Sequence, residues 1–251
     1  MLALIETGKT KGRRTEYSET RICGVRTLRI TIPERAEKRS RRFARMCRKA
    51  AVRAVLIGAE EMCCREDFTG REYFEAAGLA EKSSRALFEA FAAGIVSLAS
   101  EKRDCAAVFA DRILDIERRA VIKLTGNFRH VLLSTGRRQT ALVKTLGERY
   151  GASLIENGAG GMLQSADAAV FFASPRELLS LSPECVLLSM TGGRPENVSG
   201  GKMIDSVKFH IPERLMSNLP RGFPENELLS ELVGLNPRAL DGVYPDAVGF
   251  L

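Results

Sequence analysis

Four short apolar runs end in residues able to hold an anion. Ala106–Ala110 is followed by Asp111-Arg112, and His130–Ser134 by Thr135-Gly136-Arg137-Arg138. Ala168–Ala173 is followed by Ser174-Pro175-Arg176, and Cys185–Met190 by Thr191-Gly192-Gly193-Arg194. A guanidinium presents a planar fork of donors suited to phosphate or carboxylate, and hydroxyls and helix N-terminal amides add neutral donors. Arginine at the start of a helix opposes the helix dipole. Its return after all four runs predicts a compensating anion. The candidate ligand-binding set is therefore Asp111, Ser134, Thr135, Gly136, Arg137, Arg138, Ser174, Arg176, Thr191, Gly192, Gly193 and Arg194. The plain alternative is that these arginines are simply solvated.

Residues for catalysis are few. Asp111, at the end of an apolar run, has the placement of a base or a ribose-hydroxyl acceptor, and equally that of a helix N-cap. His130 precedes its run and falls at the opposite end from the anion candidates. His210 sits between Phe209 and Ile211 with no Ser or Cys partner nearby. No G-x-S-x-G, HExxH or paired-carboxylate pattern occurs. The six cysteines, at 23, 47, 63, 64, 105 and 185, form no CxxC pair. Adjacent Cys63 and Cys64 suit neither a mutual disulfide nor a shared zinc site. Reduced structural thiols and no metal are expected.

The elements that must position these residues follow from periodicity. From Asp104 onward, runs of about 4–6 apolar residues alternate with helical patterns, as strands buried on both faces of a parallel sheet do. The strands expected are Ala106–Ala110, His130–Ser134, Ala152–Glu156, Ala168–Ala173, Cys185–Met190 and Met203–Ile211. Asp111–Leu124 and Arg137–Tyr150 are the clearest intervening helices. Right-handed crossovers then wind the chain to both sides of the sheet, which puts a ligand beyond the strands' carboxyl ends. The fold class expected is α/β, with a Rossmann-like three-layer parallel sheet in the C-terminal part and a basic, helix-rich N-terminal part. The division expected is 1–103 and 104–251, with one continuous domain as the alternative.

Arg129–Pro175 resembles the compact Rossmann halves of cofactor-binding proteins: strand, turn, helix, Gly-Ala with a strand, then Ala-Asp with a strand. That resemblance implies nucleotide binding, and Arg137 and Arg138 suit a 2′-phosphate. The glycine pattern for close backbone approach is missing at the first turn, which leaves NAD(P) open. In Gly158-Ala-Gly-Gly-Met-Leu163 the third glycine is replaced by Leu163, and the short interval to the next strand leaves no room for a helix. GxxxxGK[ST] is absent. Ala107-Val-Phe-Ala110 recurs as Ala169-Val-Phe-Phe172, and Val131-Leu-Leu-Ser134 as Val186-Leu-Leu-Ser189. These echoes are read as shared strand vocabulary rather than duplication.

Charge is uneven. Residues 1–60 carry sixteen Lys or Arg against six Glu, a balance of +10, so within a total of +7 the remainder carries −3. Much of the excess falls in a helix expected over 34–57, whose buried side is Phe43, Met46/Cys47, Ala50 and Ala54 and whose outer side includes Arg41, Arg45 and Arg48. That face suits a nucleic-acid phosphate backbone or plain solvation, although no aromatic residues are interleaved with the cations. With 45% hydrophobic and 27% charged residues the 251-residue chain is of globular composition, which excludes collagen-like and disordered classes. It has no run of about 20 apolar residues for a membrane span, and no basic segment with a long apolar core at its start. A cytoplasmic setting is expected. The expectation for function is a small anionic ligand, a nucleotide or phosphorylated metabolite, at the strand ends. Nucleic-acid binding through the basic helix, and a scaffold with an assembly role only, are the alternatives.

Overall fold

The run Leu2–Gly8, apolar on both faces over Leu2–Ile5, forms β1, the buried central strand of a five-stranded sheet. The computed structural model describes residues 1–11, 14–34, 41–81, 85–136, 140–150, 153–156, 160–236, 238 and 240–251. On one side of β1 lies parallel β3 (Val25–Pro33), edged by antiparallel β2 (Glu16–Ile22); on the other lie parallel β4 (Glu61–Cys64) and β5 (Ala80–Glu81). Helix α1 (Arg41–Leu56) links β3 to β4 and buries Phe43, Cys47, Ala50, Ala51 and Ala54. These side chains, with those of α2 (Arg71–Glu75), pack in one core against Ala3, Ile5, Leu28, Ile30 and Met62.

The N-terminal part thus holds a sheet as well as the basic helix. Two of its strands do not read as strands in the sequence. β4 occupies a Cys- and acid-rich stretch without the alternation of a half-buried strand, and its Met62, Cys63 and Cys64 are buried. β2 is polar because little covers it. It is zipped to β3 by a two-residue turn in which Cys23 and Gly24 both have positive φ (50° and 79°). Such a turn matches strand twist, and its usual signal is Asn-Gly or Asp-Gly. Cys-Gly hides it.

Helix α3 (Arg85–Ala99) leads into β6 (Cys105–Ala110), α4 (Asp115–Asn127), β7 (His130–Thr135), α5 (Thr140–Tyr150), β8 (Ser153–Glu156), α6 (Gly160–Gln164), β9 (Ala168–Phe171), β10 (Leu179–Ser180), β11 (Val186–Ser189), β12 (Val198–Ser199) and β13 (Lys202–His210). Helices α7 (Glu213–Met216) and α8 (Glu225–Leu235) follow, with α8 against β4, and the chain ends in β14 (Tyr244–Phe250). By packing the chain forms two units, Met1–Leu87 with Ile211–Gly242, and Phe88–His210 with Val243–Leu251. This partition differs from a cut at 103/104. The textural change at Asp104 marks the first strand of the second sheet, whereas α3 already packs in that sheet's core and 211–242 returns to the first unit.

The second sheet runs β14-β13-β11-β9-β6-β7-β8, parallel except for β14. Counted along the chain, its six parallel strands stand in the order 3-2-1-4-5-6, the doubly wound arrangement whose direction reverses between β6 and β9. The α/β class with a largely parallel sheet is as expected from the apolar runs. Alternate side chains divide between two layers. Ala106, Val108, Val131, Leu133 and Val170 pack under α3, α4 and α5; Ala107, Phe109, Leu132, Ala169 and Phe171 face α6 and the β10–β12 ribbon. The helix α6 corrects the expectation that no helix fits after the Gly-rich run: five residues give a single short one. Among the described residues no helix is long and apolar enough to cross a membrane.

The sequence echoes have a spatial meaning. Reading across β11, β9, β6 and β7, the registered rows are Val186-Ala168-Ala106-Val131, Leu187-Ala169-Ala107-Leu132, Leu188-Val170-Val108-Leu133 and Ser189-Phe171-Phe109-Ser134. Each row is the same read from either side. At a given height the strands meet the same layers, so the same volumes are required on both sides of the reversal. Small alanines fill two rows of the central pair, and Phe109 stacks on Phe171 at 4.6 Å and 9°, near the strand spacing itself. Replacing Phe171 by Ala leaves a void beneath Phe109 and is expected to cost about 3–5 kcal/mol in denaturant unfolding; a loss under about 1 kcal/mol would show that the pair does not carry this part of the core.

Candidate functional site

Where the strand order reverses, the crossovers diverge and leave a crevice beyond the carboxyl ends of the strands. Here that crevice is a cavity of about 380 Å³. Phe109, Ala110 and Asp111 line it from the end of β6, and Ser134, Thr135 and Gly136 from the end of β7. The segment Ala173–Leu178 after β9 forms its opposite wall, and Leu163, Gln164 and Leu179 close one side. Phe109 is buried. Asp111, Ser174, Arg176 and Leu178 are exposed.

The wall bearing Arg176 is tied at both ends. Phe172 and Ala173 donate their backbone N–H groups to the Phe109 carbonyl at 2.8 and 3.2 Å. Farther on, the Leu179 N–H donates to the Asn197 carbonyl at 2.8 Å, and Asn197 Nδ2 donates to the Pro175 carbonyl at 3.2 Å. Asn197 holds a positive φ of 65°, a conformation asparagine tolerates better than most residues. Its role in shaping the wall is not visible in the sequence, where it is one polar residue in a Gly-rich loop.

Arg176 reaches back across the crevice. A Cβ placed on Gly136 would lie 3.2 Å from an Arg176 guanidinium nitrogen and 3.3 Å from the Asp111 carbonyl oxygen. The guanidinium thus rests on a backbone that lacks a side chain, beside the end of β6. Among the described residues neither Arg176 nor the Asp111 carboxylate has a hydrogen-bond or ion-pair partner. A cation and a carboxylate, with the Ser134, Thr135 and Ser174 hydroxyls near them, can bind a ligand that carries both a negative group and hydrogen-bond donors.

Of the twelve candidate residues, the structure brings together Asp111, Ser134, Thr135, Gly136, Ser174 and Arg176. Arg137 and Arg138 lie outside the described residues. Thr191, Gly192, Gly193 and Arg194 do not line the cavity. Positive φ values of 81° and 119° at Gly192 and Gly193 turn that loop inward, and Arg194 donates to the carbonyls of Gly200 and Gly201 at 2.5 and 3.0 Å. Its charge answers backbone dipoles rather than an anion. The Thr191 hydroxyl is paired with that of Ser189 at 2.8 Å. Lining residues outside the candidate set include Leu163, Gln164, Glu177, Leu178 and Leu179; only the topology brings α6 and the start of β10 to this edge.

Other reactive groups have structural explanations. His130 stands at the opposite end of the sheet, at the start of β7, and His210 stacks on Tyr244 at 4.6 Å. The six cysteines are free. Burial pushes the thiols of Cys47, Cys64 and Cys185 up to about 12 and that of Cys105 up to about 11, so all four are protonated near neutral pH and poor nucleophiles. No group of three or more His, Cys, Asp or Glu side chains able to hold a metal ion occurs among the described residues.

No protein-family model and no curated protein matches the chain. Among solved structures it is similar to the iminosuccinate reductase of Paracoccus denitrificans in complex with NAD+, at 15% identity and a TM-score of 0.33, over 43% of this chain and 35% of that one. It is also similar to Thermococcus litoralis Δ1-pyrroline-2-carboxylate reductase in complex with NADH and L-proline, at 10% identity and 0.33, over 42% and 36%. A third likeness is to quinate dehydrogenase from Corynebacterium glutamicum in complex with NAD, at 11% and 0.39, over 98% and 94%. The chain thus spans about a third of the length of the first two. At these values the likenesses assign nothing to this protein, and its site is read from its own geometry.

Arg194 and Arg176 are therefore expected to respond differently to truncation. Arg194→Ala removes two charge-assisted bonds to loop carbonyls and should lower unfolding stability by about 1–3 kcal/mol. Arg176→Ala, with no such partners among the described residues, should change it by less than about 0.5 kcal/mol. Urea unfolding of both variants checks the contrast.

Proposed function

We propose that the second unit binds a small anionic ligand, a nucleotide or phosphorylated metabolite, in the crevice between β6 and β9. The observation that carries this reading is the Arg176 guanidinium, laid over Gly136 at the point where the strand order reverses, with no carboxylate partner among the described residues. A positive group held in a concave site without a counterion is an anion receptor. Asp111 beside it favours a ligand that also carries hydroxyl or ammonium donors, and Phe109, Leu163 and Leu179 provide an apolar side.

Thermal unfolding against nucleotides, dinucleotides, sugar phosphates and dicarboxylates tests the reading. A ligand at 100 times its Kd adds about 2.7 kcal/mol, a visible rise in Tm. The rise should vanish in Arg176→Ala and in Gly136→Leu, whose side chain would displace the guanidinium. Silence across the whole panel, or a rise that Arg176→Ala leaves intact, removes the reading.

A second reading, nucleic-acid binding through α1, rests on a different observation. The helix contains no acidic residue, and Arg41, Arg45 and Lys49 have no ion-pair partner among the described residues. Arg48 lies over the Tyr73 ring at 5.3 Å and Arg53 over the Tyr17 ring at 4.3 Å, so folding supplies aromatic neighbours to a basic face whose own helix buries its one aromatic residue, Phe43. Fluorescence anisotropy with labelled 20-nucleotide DNA and RNA should show affinity falling steeply between 50 and 200 mM salt, by about 10²-fold or more for several phosphate contacts. The Arg41→Ser, Arg45→Ser double variant should bind at least tenfold more weakly. Binding insensitive to salt or to these residues would exclude this face.

A further inference from the structure

We infer that the crevice takes a sugar monophosphate, its phosphate on Arg176 and its sugar hydroxyls on Asp111, rather than the pyrophosphate of a dinucleotide; the inference rests on the anion-binding reading above. A doubly wound fold ordinarily receives a pyrophosphate on the amides at the start of its first crossover helix, approached through a glycine-rich turn. The first crossover here does not fit that group. Between β6 and α4 the chain reads Asp111-Arg112-Ile113-Leu114, with no glycine to let a phosphate approach the backbone.

The start of α4 is also closed chemically. Glu117 Oε2 accepts the Leu114 N–H at 3.0 Å, so a carboxylate already caps that end. Asp115 adds a second negative charge in the same turn. Both carboxylates complement the helix dipole that a phosphate would otherwise use. No residue from 112 to 117 lines the cavity. Among the described residues the positive feature of the crevice is thus a side chain on the opposite wall, not the terminus of α4.

The same geometry limits the number of anionic groups. The Arg176 guanidinium and the Asp111 carbonyl both lie within 3.3 Å of one point above Gly136, so the anion site and the residue bearing the Asp111 carboxylate are neighbours. One phosphate on Arg176 is compensated, whereas a second extending toward Asp111 would meet a carboxylate. Hydroxyl groups there would instead donate to it. Leu163 and the 90% exposed Leu178 offer apolar surface within the same cavity, which a nucleoside monophosphate, among sugar monophosphates, would cover with its base.

Calorimetric titration of the full chain with inorganic phosphate, ribose 5-phosphate, AMP, NAD+ and NADP+ separates the possibilities. Ribose 5-phosphate and AMP should bind, AMP the tighter, with NAD+ and NADP+ no tighter than AMP. Arg176→Ala should weaken both monophosphates at least tenfold. Asp111→Asn should weaken them at least fivefold while leaving inorganic phosphate unchanged or tighter, since a repulsive charge has been removed. Glu117→Gln should change no affinity more than twofold. NAD+ or NADP+ binding tenfold tighter than AMP, tightening further in Glu117→Gln, or an Asp111→Asn variant that binds ribose 5-phosphate normally, overturns the inference; if Arg176→Ala still abolishes binding, the anion-binding reading stands. Failure of every probe, or indifference to Arg176, overturns both.

Discussion

The pairing of β6 with β9 is the constraint on which the second unit depends. Both strands are central and buried on two faces, so neither can spare a polar or badly sized side chain. Residue for residue they present Ala, Ala, Val and Phe in register, flanked by β7 and β11 with Val, Leu, Leu and Ser. The alanines keep both layers close at the amino ends. The stacked Phe109 and Phe171 fill the layer beneath α6 and the ribbon at the carboxyl ends. Because the chain winds outward from this pair in both directions, the pair sets the height of every neighbouring strand and the place where no crossover covers the sheet edge.

From that mirrored centre the two sides diverge in their loops. From the end of β7 the chain reads Ser134-Thr135-Gly136-Arg137; from the end of β11 it reads Ser189-Met190-Thr191-Gly192-Gly193-Arg194. The two added residues, with two glycines at positive φ, let the second loop fold onto Gly200 and Gly201. On the other side Gly136 has no positive φ and leaves room for a guanidinium from β9's own loop. The near-repeat in sequence therefore supports opposite roles, closing the sheet edge on one side and opening it on the other.

This divergence marks the limit of what periodicity reveals. Runs such as Ala106–Ala110 and His130–Ser134 announce buried parallel strands because a strand covered on both faces has no polar positions to confuse the pattern. β4 and β2 fail that test in opposite ways. Cys63 and Cys64 are ordinary buried residues but look like chemistry beside acidic neighbours, and β2 is polar because its faces are largely exposed. Residues placed just after strands were legible as an edge, which is why Asp111, Gly136 and Arg176 could be proposed together. Which arginine turns inward was not legible, because it depends on loop dihedrals at Gly192 and Gly193 and on a tether from Asn197 some twenty residues from Pro175.

The electrostatics of the crevice follow from where its cation originates. A helix terminus delivers a diffuse half charge fixed by the backbone, and it serves any phosphate that can approach the amides. Arg176 is instead a full charge at the end of a flexible side chain, oriented by the tethers of its loop and by the absence of a side chain at Gly136. Such a receptor is discriminating, because its planar fork favours one anion presented in one plane. If the crevice holds its anion on Arg176 as proposed, Asp111 would act by exclusion as much as by attraction, its negative charge disfavouring polyanions that Arg176 alone would accept. In the proposed site, selectivity would come from a cation and a carboxylate on separate strand ends, neither with a partner among the described residues, so that a ligand would have to satisfy both.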